Sequence, residues 1–279
     1  MLRLSFASFL FLLVITATAQ ELRLVSWNVQ DMGRTITDAD IDRMAALLRD
    51  ADVVAIQEVV AKDPAGAQRV AALDAALDRT GTEWDYRISP PTSSTSSYDK
   101  ERYAFLWRRS KVKMLRYQLD NTVADAVVRE PFWLEVAVKG FPEPIWLVNF
   151  HSLPHAKGPE QEIPYLIDYP DRVSGQPLIY LGDWNMKPDH KAFRPLFDKG
   201  YAIAAKNLPT TLKRKCTATG NYLNYPIDNI FYPTAFFDKE AVWVIDFVEN
   251  CSTLETDRKL SDHLPICLTL TPHGAPANR

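Results

Sequence analysis

The sequence has no surplus of positive charge: 32 lysines and arginines stand against 35 acidic residues in a chain of 279. That balance excludes the broad basic face by which many proteins hold polyanions, so any such ligand must be gripped locally or through a bound cation. Cysteine is scarce, with Cys216, Cys251 and Cys267 making the whole count of three. No CxxC or mixed Cys/His spacing is present, which argues against zinc. Long apolar runs are missing as well. The stretch from Phe9 to Ile15 is too short to cross a bilayer comfortably, and no second one follows. Internal repeats, low-complexity tracts and linkers are also absent, so the chain reads as one large α/β domain with a full core.

What stands at the N-terminus is a leader. Arg3 is followed by the apolar stretch and then by Ala17-Thr18-Ala19, with small residues at both positions that a signal peptidase reads. The expected boundaries are a signal peptide over 1–19, a catalytic domain over 20–272 and a C-terminal tail over 273–279. Loss of Arg3 makes the mature chain one unit more negative than the formal −3. Export places the protein outside the cytoplasm, secreted or periplasmic. There an odd cysteine count suggests one disulfide and one free thiol. The expected pair is Cys216 with Cys251, leaving Cys267 as a buried hydrophobe in the last strand.

The hydrophobic pattern predicts strands at Leu22 to Val29, Asp52 to Gln57, Ala104 to Trp107, Phe132 to Val138, Ile145 to Phe150, Leu178 to Leu181, Ile227 to Phe231 and Ala241 to Val248. A last strand runs through Ile266, Leu268 and Leu270. Helices are expected over Thr37 to Asp50, capped by Thr37 with acids in its first turn, over Ala65 to Arg79, ended by Gly81, and over Lys191 to Lys199. Early alternation of strands and helices, then crowded strands, suits a two-layered sheet core flanked by helices.

Polar residues gather where these strands end: Asn28, Glu58, Glu101, His151, Asp183 with Asn185, Asp228, and Asp262 with His263. Each alone is unremarkable, since Glu58 could face solvent and Gly182-Asp183-Trp184-Asn185 is good turn chemistry. Together they make a site. Carboxylates and amides supply hard oxygen ligands for Mg²⁺, Mn²⁺ or Ca²⁺. Two histidines beside carboxylates supply proton transfer.

In this order the motifs Ser26-Trp27-Asn28, Gln57-Glu58-Val59, His151-Ser152, Gly182-Asp183-Trp184-Asn185, Asp228 and Ser261-Asp262-His263 resemble those of the endonuclease/exonuclease/phosphatase superfamily. Glu101-Arg102-Tyr103-Ala104-Phe105-Leu106 and Arg129-Glu130-Pro131 further resemble deoxyribonuclease I within it. The resemblance implies a four-layered α/β sandwich of two packed mixed β-sheets flanked by helices. It implies His151 and His263 as general acid and base, held by Glu101 and Asp228. It implies Glu58 as cation ligand with Asn28, Asp262 and Asp183 nearby. Asn28, Asp183, Asn185, Arg129 and Arg102 would meet substrate phosphate.

The implied activity is divalent-metal-dependent hydrolysis of DNA phosphodiesters, endonucleolytic, by a monomer without a membrane span. Two departures stand out. Val60 occupies the place of the family's groove-reading arginine, and Tyr98 lies three residues before Glu101 where the family has a tyrosine two before. They bear on groove contacts and leave the hydrolytic set intact. Val60 and the acidic charge keep a second reading open, a phosphoesterase acting on a lipid or inositol phosphate. A non-catalytic binding protein on the same fold is the third, disfavoured because every matched catalytic position holds a competent side chain.

Overall fold

A computed structural model describes residues 20–94, 96 and 99–273. The expected leader, Tyr98 and the tail beyond His273 lie outside the described residues. In chain order the elements are β1 (Leu22–Met32), α1 (Asp38–Leu48), β2 (Val53–Val60), α2 (Ala65–Asp78), β3 (Trp84–Ile88), β4 (Glu101–Arg108), β5 (Val112–Leu119), β6 (Phe132–Val138), β7 (Ile145–His151), β8 (Leu178–Asp183), α3 (Arg194–Asp198), β9 (Tyr201–Ile203), β10 (Asp228–Pro233), β11 (Phe237–Val244), α4 (Leu254–Asp257) and β12 (Ile266–Pro272).

Twelve strands form two six-stranded mixed sheets, ordered β11-β12-β1-β2-β4-β3 and β5-β6-β7-β8-β10-β9. Each sheet has a parallel pair at its centre, β1 with β2 and β7 with β8, flanked on both sides by antiparallel strands. That plan decides where a site can form. The C-terminal ends of the parallel strands and the N-terminal ends of their antiparallel neighbours fall on the same edge of each sheet.

The sheets meet face to face through Leu24, Ala55, Tyr103 and Phe105 on one side and Leu134, Leu147, Leu181 and Ile230 on the other, all fully buried. Each such leucine or phenylalanine contributes about 1.5–3 kcal/mol through its removal from water. Helices α1 and α2 cover the outer face of the first sheet, seating Ile41, Met44, Leu48, Val70, Leu73 and Leu77 on it. Thr37 caps α1 as expected, its hydroxyl accepting from the Asp40 amide while the Asp40 carboxylate accepts from the Thr37 amide.

The fourth layer departs from regular helix. Pro154, Pro159, Pro164 and Pro170 bar an α-helical ladder between β7 and β8, so this cover is a series of 3₁₀ turns. Aromatic rings fill the space beneath, including Trp133 against Tyr169 with centroids 4.5 Å apart and Trp184 against Phe231 at 4.9 Å. The helix expected over Lys191 to Lys199 splits into a 3₁₀ turn, Lys191–Phe193, and α3, with Pro195 in the first turn of the second piece. The strand expected over Ala241 to Val248 lies earlier, as β11. Cys216 and Cys251 form the disulfide, and Cys267 is free and buried in β12.

Two strands run past the residues expected to end them. β1 continues beyond Asn28 and β2 beyond Glu58, each through a break in register. The extra residues sit in left-handed backbone, Gln30 at φ 44°, Asp31 at 58° and Glu58 at 61°. On the second sheet, Gly182 solves a different problem. A Cβ there would stand 1.8 Å from the Phe150 carbonyl oxygen in the neighbouring strand. Gly182→Ala should therefore force β8 from β7 and displace Asp183 next door. A loss of about 1–3 kcal/mol is expected, read by chemical denaturation.

Candidate active site

Strand order turns the polar residues into a cluster. Asn28 and Glu58 stand at the register breaks in the C-terminal halves of β1 and β2, His151 and Asp183 at the C-terminal ends of β7 and β8, and Glu101, Asp228 and His263 at or just before the starts of β4, β10 and β12. All lie on the same edge of the sandwich, where the two sheets meet.

Two histidine–carboxylate pairs face each other. His151 Nδ1 donates to Glu101 Oε2 at 2.9 Å, and His263 Nδ1 donates to Asp228 Oδ2 at 2.9 Å. The opposite ring nitrogens converge on one atom. Asp183 Oδ2 is 3.6 Å from His151 Nε2 and 3.8 Å from His263 Nε2, and it accepts from Asn28 Nδ2 at 3.1 Å. The same amide nitrogen donates to Glu58 Oε1 at 2.8 Å, so Asn28 bridges the two carboxylates with its nitrogen, while its oxygen accepts from the Gln30 amide.

Further hydrogen bonds hold these groups in place. Thr210 Oγ1 donates to Asp228 Oδ2 at 2.6 Å, and Ser261 Oγ donates to the Asn28 carbonyl at 2.7 Å. Tyr103 accepts the His151 amide on its hydroxyl at 3.2 Å. The Glu162 carboxylate accepts the amides of Leu153 and Val128, fixing the loop after His151. Below, Gln57 Nε2 donates to Asn149 Oδ1 at 2.6 Å, and Asn149 Nδ2 donates to the Ile56 and Ala104 carbonyls, tying β7 to the bulged end of β2. Thr210, Asn149 and Glu162 were not singled out from the sequence. Asn149 alone left a trace, as a polar residue inside an otherwise apolar strand.

The phosphate-facing candidates are placed unequally. Asn185, with left-handed backbone at φ 51°, has its amide on Asp183 Oδ1 and its side chain on the Ser152 carbonyl, beside the cluster. Asp262 is at the rim, its Oδ1 4.0 Å from His263 Nε2 and its Oδ2 3.3 Å from Arg258. Arg129 is buried beneath Glu101, with Nε 2.9 Å from Glu101 Oε2, and it also donates to the Asp99 and Ser152 carbonyls. Arg102 is not brought into the cluster. Strand alternation turns it to the opposite face of β4 from Glu101 and Tyr103, where it donates to the Ser89 carbonyl.

Charge explains the protonation states. Burial disfavours the imidazolium of His263, but Asp228, Asp183 and Asp262 outweigh it and push its pKa up to about 10. Burial also works against charge on His151, and Glu101 overcomes it, while nearby Arg129 pulls the other way. Glu101 itself is penalised by burial yet held below the usual carboxylate range by His151 and Arg129. Glu58 is raised, first by burial, then partly relieved by His151 and opposed by Glu101. Asp183 is raised by burial and by Asp228.

This donor set fits a hard divalent cation. Glu58 and Asp183 are carboxylates joined through one amide hydrogen-bond donor, and burial raises the pKa of both, a cost that a bound cation would offset. The oxygens of Asp183 and Asp228 with a His263 nitrogen also lie within 4.8 Å of one another. Asp228 is already taken by His263 and Thr210, so the Glu58 side is the better seat.

Two packed mixed sheets with paired histidines and carboxylates on their common edge define a phosphoester-type catalytic fold. The sequence profile of the Endonuclease/Exonuclease/phosphatase family matches residues 25–263, and the chain belongs to that family. A deoxyribonuclease of Thioalkalivibrio sp. (strain K90mix) is 28% identical over 196 residues, covering 67% of this chain and 52% of that protein. Deoxyribonuclease-1-like 1 of Sus scrofa is 28% identical over 185 residues, covering 64% and 58%. The chain thus spans little more than half the length of these relatives. Among solved structures, D. rerio TDP2 complexed with single strand DNA product matches at a TM-score of 0.63 and 17% identity, over 90% of this chain and 99% of that one. A mannosyl-6-phosphatase of Bacteroides thetaiotaomicron VPI-5482 matches at 0.62 and 16%, over 90% and 99%. At such identities the likeness is one of fold.

The raised pKa of His263 carries a sign that can be measured. Its folded value exceeds its unfolded one, so its stabilisation is complete below about pH 6.5 and disappears as pH rises toward 10. Metal-free protein should lose stability across that window. Asp228→Asn should bring the His263 titration, followed by NMR, back toward neutrality and flatten the stability profile.

Proposed function

We propose that this protein is a divalent-metal-dependent nuclease that hydrolyses DNA phosphodiester bonds. One observation carries the reading: two carboxylate-oriented histidines present their Nε2 atoms to a common point, 3.6 and 3.8 Å from Asp183 Oδ2. An in-line displacement at phosphorus needs a proton acceptor on one side and a proton donor on the other. The two halves are not equivalent. Arg129 shares Glu101 and lowers the proton affinity of His151, whereas Asp228 serves His263 without a cationic competitor. His151 Nε2 therefore accepts a proton from the attacking water, and His263 Nε2–H donates one to the leaving oxygen. Glu101 and Asp228 hold the rings in the tautomer that presents Nε2. Asn185 Nδ2 donates to a phosphoryl oxygen, and Asp183 would reach the phosphoryl group only through the cation it helps to hold. Glu58 with Asp183 would hold Mg²⁺ or a similar cation, which supplies charge neutralisation at the phosphoryl group.

Relatives named deoxyribonucleases support DNA as the substrate. A second reading, hydrolysis of a small phosphoester, is favoured by a pocket of about 270 Å³ beside Glu58. Lys62, Lys100 and Arg129 line it, with Val60 where an arginine would fill space. Export is also proposed, on the leader and on the Cys216–Cys251 disulfide, which suits an oxidising compartment. N-terminal sequencing from the native host should find Gln20 first.

Plasmid DNA, a nucleotide-free phosphodiester and a phosphomonoester, each with Mg²⁺ and with EDTA, separate the readings. Plasmid nicking that EDTA abolishes is expected. Turnover of the monoester alone would overturn the nuclease assignment. Glu58→Gln keeps size and removes charge, and should lower the rate roughly a hundredfold or more. Near-normal Mg²⁺-supported activity would take Glu58 out of the site.

A further inference from the structure

The acidic balance of the chain leaves open what holds a polyanion once it leaves the catalytic edge. A cavity of about 930 Å³ lies beside β9, the outermost strand of the second sheet. It opens close to the reacting groups. Lys187 is two residues beyond Asn185, and Tyr225 is three before Asp228, so at most about 10 Å of chain separates each from the site. The connection is rigid as well as short. The Tyr225 carbonyl accepts the amides of Thr210 and Thr211, and Thr210 is the residue that holds Asp228.

The lining combines cations with aromatic surface. Lys187 and Lys206 are exposed and have no ion-pair partner among the described residues, and Lys239 adds a third amine, which donates to the Ala204 carbonyl. A single acid, Asp189, opposes them. Tyr225 is 54% exposed, the most of any large hydrophobic side chain in the described structure, and Phe197 is 37% exposed. Rings open to solvent beside unpaired lysines are what a single strand uses: bases stack on the rings while amines follow the phosphates. A rigid duplex offers no free base faces to such a wall. A lipid chain would leave the lysines without partners.

Resting on the nuclease reading, we propose that this groove is an extended subsite for the single-stranded stretch of nucleic acid flanking the scissile phosphate. Tyr225 stacks a base, and Lys187 and Lys206 contact the backbone. The groove gives a net-acidic protein the local grip that its overall charge denies it. The preferred substrate is then single-stranded or locally melted DNA, longer than a dinucleotide.

The test compares Tyr225→Ala, Lys206→Ala and Lys187→Ala with the parent. Fluorescein-labelled oligothymidylate is bound in Ca²⁺ across a salt series, and cleavage of the same oligomer is ratioed in Mg²⁺ to hydrolysis of bis(p-nitrophenyl) phosphate. Each variant should bind the oligomer several-fold to tenfold more weakly and lower the ratio to match. Each lysine variant should also reduce the salt slope by about 0.7, the share of one single-strand phosphate. Tyr225→Phe should restore binding, since it keeps the ring. Unchanged affinity, slope and ratio in all three alanine variants would overturn the subsite, and so would binding of duplex as tight as that of the oligomer. A parent that cleaves neither substrate would overturn the nuclease reading, while the binding arm still judges the groove.

Discussion

A single carboxylate oxygen, Asp183 Oδ2, sits where two imidazole nitrogens and an amide nitrogen converge. Isolated acid groups are rarely buried, because the charged form loses its hydration. Here Asp183, Asp228, Glu101 and Glu58 are brought together at one edge, and the arrangement holds because each negative group faces a donor. His263 and Thr210 answer Asp228, His151 and Arg129 answer Glu101, and Asn28 stands between Glu58 and Asp183. Removing one donor would leave its acid uncompensated in a low-dielectric setting, which is why the outer supports are as specific as the groups they support.

The sheets make that convergence possible without loops doing the positioning. A parallel pair at the centre of each sheet sends two strand ends to the same edge, and antiparallel flanks start there. Face-to-face packing then lays one set over the other. The link between the sheets is partly polar. Where the register of β2 breaks after Ile56, Asn149 from the opposite sheet donates to the Ile56 carbonyl and accepts from Gln57. Aliphatic contacts can slide by fractions of an ångström, whereas this bond set fixes the relative height of Glu58 and His151.

Much of this was legible in the sequence because buried central strands have unbroken apolar runs and their polar ends stand out. β2, β7 and β8 stand out for that reason and β12 by its alternation of Ile266, Leu268 and Leu270, and with them the histidines and carboxylates that follow or precede them. The strands that went unseen are outer or near-outer ones. β5 buries few of its residues and reads as a mixed polar stretch, β3 is a short edge strand, and β9 has three residues. Arg102 was misplaced because a motif match says nothing about which face of a strand a residue takes. Bulges escaped for a related reason: neither Gln30-Asp31 nor Glu58 is glycine, so no sequence mark announced left-handed backbone.

Those bulges have a bearing on how this protein could be improved. Five described non-glycine residues have left-handed backbone, and four of them, Gln30, Asp31, Glu58 and Asn185, adjoin or belong to the catalytic edge. For a side-chain-bearing residue such a conformation costs on the order of 1–3 kcal/mol. A search for thermostable variants would thus be drawn first to the residues that bind and orient, since glycine at any of them relaxes the chain. Selection for durability and selection for turnover pull on the same few positions, and a hardier version is better sought in the proline-rich cover over the second sheet.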